Sequence, residues 1–258
     1  MNVAKLLPFL AAVFPSAALA GPYAPFDPAE NNVVSLSACE SVEDVQQVYP
    51  PLGRIDLART GDEARLHLTL AGNEHYEAQV FAGAAPRGQR VNVNVPAADS
   101  NDVRIDGAVC DDLNGDGASD FVVALWLHGN GLGARFYDRL IALSAGDSYR
   151  FWVLQTMDPS REDFVRFSAA QPIVMVTQEW VHQNERTGGP ASYFVFDLWS
   201  FSGGGEVVEA SSLDRRFPKW VRYTNVPSSR PAPLSDADKR RLRSAPQQPI
   251  EAVPSPRI

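Results

Sequence analysis

Asp112-Leu113-Asn114-Gly115-Asp116-Gly117-Ala118-Ser119-Asp120 runs directly into Phe121-Val122-Val123-Ala124-Leu125-Trp126-Leu127. The second half is apolar at odd and even positions alike, which is the pattern of a strand covered on both faces. The first half sets side-chain oxygens at alternate positions of a glycine-kinked loop. Counted from Asp112, oxygens come from Asp112, Asn114, Asp116, the Ala118 carbonyl and Asp120 at positions 1, 3, 5, 7 and 9, and Gly117 at position 6 permits the sharp turn. Three carboxylates on so short a loop repel one another, and a divalent cation, Ca2+, is the simplest compensation; the alternative is a metal-free Asx-rich turn. Position 12 is Val123 and a strand follows, where an EF-hand needs a bidentate Glu and a helix. A dockerin is excluded on the same ground and for want of a second loop.

Asp-Leu-Asn-Gly-Asp-Gly-x-x-Asp before an apolar strand resembles the calcium loop of FG-GAP and VCBS repeats, the integrin-like bladed β-repeats. Gly129-Asn130-Gly131-Leu132-Gly133, followed by Phe136, resembles the glycine turn with which such repeats continue, so the likeness covers about residues 108–136. It implies a structural calcium ion at a β-turn, with binding done by other surfaces, and does not imply an enzyme.

Outward from the loop, the period is two. Leu66, Leu68 and Leu70 alternate with Arg65, His67 and Thr69; Gly72-Asn73 turns the chain into a run through Tyr76 and Val80-Phe81; Val91, Val93 and Val95 alternate with Asn92 and Asn94. These are the marks of half-exposed antiparallel strands joined as hairpins. Strands are also expected over 135–143, 149–156, 173–182, 193–201 and 206–210. The stretches 108–158 and 170–226 read as two copies of one unit. Trp126-Leu127-His128-Gly129-Asn130 and Trp180-Val181-His182-Gln183-Asn184 each end a first strand, and Tyr137-Asp138 and Phe196-Asp197 each sit in a second. The fold class expected is all-β, built of antiparallel meanders as a partial propeller or a β-sandwich. One short helix is added from the N-cap Ser41 through Val42, Val45 and Val48 or Tyr49 to the stop at Pro50-Pro51.

The ends carry different signals. Lys5, the apolar run from Leu6 to Phe14 and Ala18-Leu19-Ala20 make residues 1–20 a secretory signal peptide. The run is too short, and too broken by Pro8 and Pro15, to serve as a membrane span. A mature chain in the periplasm or outside the cell follows, and there Cys39 and Cys110, the two cysteines of the chain, are expected to form a disulfide. Closing that loop stabilises the fold by about 4 kcal/mol on chain-entropy grounds. Residues 21–227 are read as a single β-rich domain and 228–258, rich in Pro, Ser, Arg and Gln, as a disordered tail. The domain holds 16 basic against 28 acidic residues, a net charge of −12. Such a body disfavours nucleic acid and anionic membranes and favours cations or basic partners.

Motifs for catalysis are sparse. The sequence contains no G-x-S-x-G elbow, no H-E-x-x-H helix and no phosphate-binding glycine loop. Of the four histidines, His67 and His75 lie in a polar hairpin and read as solvated, while His128 and His182 read as rim residues of two hairpins. Glu179 and Asp197, on neighbouring strands, are the one candidate glycosidase pair. Trp126, Trp152, Trp180, Trp199 and Trp220 read as core, with a sugar-stacking surface as the alternative. Together these features point to a secreted or periplasmic non-enzymatic binding protein of the cell envelope. Its partner would be a protein or a glycan, in an inhibitor, immunity or self-resistance role. The alternative is an envelope polysaccharide hydrolase.

Overall fold

A computed structural model of the chain describes residues 33–39, 54–71, 75–94, 105–126, 135–181, 192–222 and 249–254. The signal-peptide region, the helix expected from Ser41, the glycine turn at 129–133, His128 and His182 lie outside these residues.

The described chain is built almost wholly of antiparallel strands. β1 (Arg54–Ala58), β2 (Ala64–Ala71), β3 (His75–Ala82) and β4 (Ala85–Asn94) form the first meander. A second follows in β5 (Ile105–Asp111), β6 (Asp120–Trp126), β7 (Phe136–Ala145) and β8 (Ser148–Met157). The third sheet takes β9 (Phe164–Val165), β10 (Val174–Val181), β11 (Tyr193–Phe201) and β12 (Val207–Glu209), with β13 (Lys219–Arg222) also on β11. Finally β14 (Ile250–Glu251) pairs with β8 and β15 (Val253–Pro254) with β4, so each of the three sheets has five strands and none closes into a barrel. No helix among the described residues is long and apolar enough to cross a membrane.

The sheets stack face to face with the second meander in the middle. Leu57, Leu66, Leu68 and Val80 of the first sheet pack on Phe121, Val123, Leu125 and Leu140 of the middle one. The alternate residues of the middle sheet, Val122, Ile141, Trp152 and Leu154, meet Phe164, Met175, Trp199 and Phe201 of the third. This explains why the run after Asp120 is apolar at every position: β6 lies between β5 and β7 and both of its faces enter a core. Full burial of side chains such as Phe121 contributes about 1.5–3 kcal/mol each. By contrast β2, β3 and β4 bury one face only, and their alternation records it.

The all-β, antiparallel-meander class expected is the one observed, as three open sheets of which the middle meander alone has two interior faces. Two features differ from the sequence reading. The proposed copies do not share a register, since Trp126 pairs with Tyr137 whereas Trp180 pairs with Phe194, two residues before the Phe196-Asp197 dipeptide. Ile250–Glu251 and Val253–Pro254, read as part of an open tail, are short strands that pair with two sheet edges. The Ala252 amide donates to the Phe151 carbonyl at 2.9 Å, its side chain joins the core between the first and middle sheets, and Arg150 holds Glu251 at 2.8 Å. Edge strands present unpaired amides and carbonyls, and a returning segment satisfies them whatever its own composition.

Candidate functional site

The loop from Asp112 to Asp120 joins β5 to β6, and its turn is written in local hydrogen bonds. Asp112 accepts from the amides of Gly115, Asp116 and Gly117 at 2.7, 3.1 and 2.9 Å. Asn114 Oδ1 accepts from Asp116 N at 3.0 Å and Asp116 Oδ1 from Ala118 N at 2.9 Å. Gly115 and Gly117 have φ of +80° and +88°, where a Cβ is strained, so the glycines are required by the turn. Asp120 is fully buried and accepts from Leu113 N at 2.8 Å, Asn114 N at 3.1 Å, Ser144 N at 2.7 Å and Ser144 Oγ at 2.9 Å.

Ser144 is the residue that spacing does not reveal. It lies on β7, and its hydroxyl is 2.6 Å from Asp116 Oδ2 as well as 2.9 Å from Asp120 Oδ1, while Asn114 Nδ2 donates to it at 3.1 Å. A hydroxyl has one proton, so it serves one carboxylate and leaves the other facing it without one. Burial pushes the Asp120 carboxyl up to about 6, against the amides of Ser144, Leu113 and Asn114 and the Ser144 hydroxyl, which pull it down. The neighbouring Tyr149 phenol is pushed well up by burial, then by the charges of Asp120, Asp62 and Asp116. The corner is therefore an electronegative one.

The loop is also where three parts of the chain meet. Cys39 is bonded to Cys110, with Cα atoms 5.1 Å apart, and Cys110 N donates to the Ser37 carbonyl at 3.1 Å. Asp111 accepts from Ser37 N at 2.9 Å and lies 3.6 Å from Arg59 at the end of β1. Ser119 Oγ donates to Asp62 in the β1–β2 turn, and Tyr149 OH donates to the Ser119 carbonyl at 2.8 Å. Burial acts to raise the pKa of Asp62, but the Ser119 hydroxyl, the amides of Ala64 and Glu63, and Arg59 outweigh it and hold the group below its usual value. Disulfide and loop thus tie the N-terminal segment and the first meander to the middle sheet. Among the described residues no three His, Cys, Asp or Glu side chains are disposed to hold a metal ion; the loop carboxylates are engaged with amide and hydroxyl hydrogens.

No protein-family model matches this chain, and no curated protein or solved structure matches it either.

The other sequence candidates are placed as follows. Glu179 and Asp197 share one face of β10 and β11, one step apart on the diagonal, because Asp197 pairs with Thr177 and Glu179 with Val195. That face also carries Met175 and Trp199, which pack on the middle sheet, and Asp197 is only 4% exposed. Trp152, Trp199 and Trp220 are buried, which withdraws them from any stacking surface; Trp126 and Trp180 are half-buried. His67 is not simply solvated. Its ring stacks on Phe81 with centroids 4.2 Å apart and planes 25° apart, and its side chain is 16% exposed. A half-open cavity of about 240 Å³ lies beside that stack, lined by His67, Thr69, Glu77, Gln79, Phe81 and Arg90 on the outer face of the first sheet. None of these residues carries a motif; they are brought together by cross-strand register.

Proposed function

We propose that the protein is a calcium-stabilised, non-enzymatic binding protein of the secreted or periplasmic space, with a protein or a glycan of the cell envelope as its partner. The observation that carries the calcium half is the Asp116–Ser144–Asp120 cluster, where one exposed and one buried carboxylate share a single hydroxyl proton in an electronegative corner. A cation bound by Asp112, Asn114, Asp116, the Ala118 carbonyl and Asp120 supplies the missing positive charge, as the resemblance to FG-GAP and VCBS loops implies. The donor set is all oxygen, which suits a hard cation. Bound there, the ion acts as a clamp, since the same loop is braced by Cys110 on one strand, by Tyr149 of β8 in its own sheet and by Asp62 across the sheet interface.

The binding half is supported by where the surface groups lie. The described cavity is a half-open one on a sheet face, where its one acid, Glu77, pairs with Arg90 and its histidine stacks on Phe81. The acid pair a hydrolase would use has Asp197 buried in a packed face. A disulfide between Cys39 and Cys110 fits an oxidising compartment. Affinity capture from an envelope extract with the mature chain as bait, in calcium and in chelator, tests this reading. A single envelope protein or polysaccharide retained in calcium and released by chelator is expected; turnover of envelope polysaccharide by the purified chain, with nothing retained, would overturn it.

A further inference from the structure

The cavity on the first sheet owes its shape to a bulge. Between the pairs Ala78–Val91 and Val80–Arg87, the single residue Gln79 of β3 faces Gly88, Gln89 and Arg90 of β4. Extra residues in one strand bend it and re-aim its side chains. Gly88 has φ +85°, and a Cβ there would lie 3.1 Å from the Tyr149 amide nitrogen, so the bulge is pressed against β8 and depends on glycine. Val91, next along, turns into the core, and Arg90 turns outward to meet Glu77 at 3.1 Å. Across the strands the His67–Phe81 stack forms an aromatic wall, and Thr69 and Gln79 add a hydroxyl and an amide. Stack, ion pair and amide all face one hollow that the bulge opens.

We propose that this hollow binds a single neutral sugar ring at the end or branch of a glycan. This deepens the reading of the chain as a binding protein and rests on it. The chemistry of the lining selects the class. An apolar ligand is disfavoured because five of the six lining residues, all but Phe81, present polar groups. A charged ligand is disfavoured because Glu77 and Arg90 neutralise each other, so a uronate meets Glu77 and an amino sugar meets Arg90. A polyol suits all of it: the carboxylate accepts from hydroxyls, the guanidinium donates to them, the amide of Gln79 does both, and the C–H face of the ring lies on the aromatic wall. About 240 Å³ is the room of roughly eight waters, enough for one ring and not for a chain of them. The open sheet face lets the rest of the glycan leave along it.

Ligand-observed saturation-transfer NMR and calorimetric titration of the full mature chain, in calcium at neutral pH, test the proposal. The probes are methyl glycosides of neutral hexoses, deoxyhexoses, pentoses and N-acetylhexosamines, with a uronate and an unacetylated amino sugar beside them. At least one neutral glycoside binds with a Kd on the order of 1 mM, the level a ligand of that size reaches. Glu77→Gln and Arg90→Gln are surface changes that leave the fold intact, and each weakens it about tenfold, the loss of one charge-assisted hydrogen bond. Phe81→Ala abolishes it, and Asp147→Asn, at a fully exposed site outside the hollow, leaves it unchanged. The proposal fails if no neutral glycoside binds to wild-type protein that melts cooperatively, if binding survives Glu77→Gln and Arg90→Gln, or if the uronate binds better than its neutral parent. Failure here while an envelope protein is still captured removes the sugar site alone; failure of both removes the binding-protein reading as well.

Discussion

Asp120→Ala separates the two jobs assigned to the loop, holding the turn and holding the ion. The substitution deletes four hydrogen bonds, and it strands the amides of Leu113 and Ser144 in the interior and that of Asn114 at its edge. At ~1–3 kcal/mol for each buried donor left without an acceptor, the two interior amides cost about 2–6 kcal/mol. Against this stands the penalty the carboxylate itself carries. With its pKa at about 6 instead of 3.8, its charged form is disfavoured in the folded chain, which at neutral pH amounts to about 3 kcal/mol that the alanine no longer incurs. The two effects largely offset, so in chelator the variant's stability changes by between a gain of about 1 kcal/mol and a loss of about 3 kcal/mol. Calcium changes the comparison. For a site with Kd of about 10⁻⁴–10⁻³ M, about 10 mM calcium stabilises the wild type by ~1.4–2.7 kcal/mol, and the variant forfeits that too. For a chain of this size the wild type therefore melts about 3–11 °C higher in calcium than in chelator. Urea unfolding at pH 7, followed by tryptophan fluorescence with the disulfide intact, measures both terms. The reasoning is refuted if wild-type stability is the same in calcium and chelator, or if Asp120→Ala loses the same amount in both.

Other consequences concern the scaffold. Arg139 is buried between the middle and third sheets, where it pairs with Asp163. Arg139→Met leaves that carboxylate buried and unpaired and is expected to cost ~3–5 kcal/mol, while Arg139→Met with Asp163→Leu recovers most of it in a double-mutant cycle by denaturant unfolding. Burial pushes the Asp138 carboxyl up to about 6, so the folded chain binds that proton more tightly than the unfolded one. Stability in chelator thus rises as pH falls from 7 to 5, and Asp138→Asn reduces the rise by about 1 kcal/mol, read from unfolding midpoints across that range. Gly61 and Gly88 both have positive φ, +79° and +85°, but only a Cβ at Gly88 meets other atoms within 4 Å. Gly61→Ala is expected to cost about 1–2 kcal/mol and Gly88→Ala clearly more, measured side by side in thermal melts; equal losses would show that the bulge is not pressed against β8.

What was legible in the sequence is what local chemistry dictates. The alternation of Leu66, Leu68, Val91 and Val93 with polar neighbours reports a sheet with one buried face. The unbroken apolar run after Asp120 reports a strand with two, and the glycines at 115 and 117 report a turn. Each is set within a few residues, by pleat geometry or by φ. The pairing of Cys39 with Cys110 was legible too, because two cysteines in an oxidising compartment have one way to pair.

Tertiary structure alone decided the rest, because it joins residues that share no local pattern. Ser144 comes to Asp116 and Asp120 only because β7 lies beside β6, and Asp62 comes to Ser119 only because the first and middle sheets stack. The hollow beside His67 and Phe81 exists because a bulge two strands away turns Arg90 toward Glu77. Residues 250–254 look like open chain by composition, yet they pair, because unpaired strand edges on β8 and β4 supply the hydrogen-bond partners that composition does not. The loop from Asp112 to Asp120 shows both sides of the division: its turn is a property of nine consecutive residues, while the hydroxyl that two of its carboxylates share belongs to a neighbour the fold brings to it.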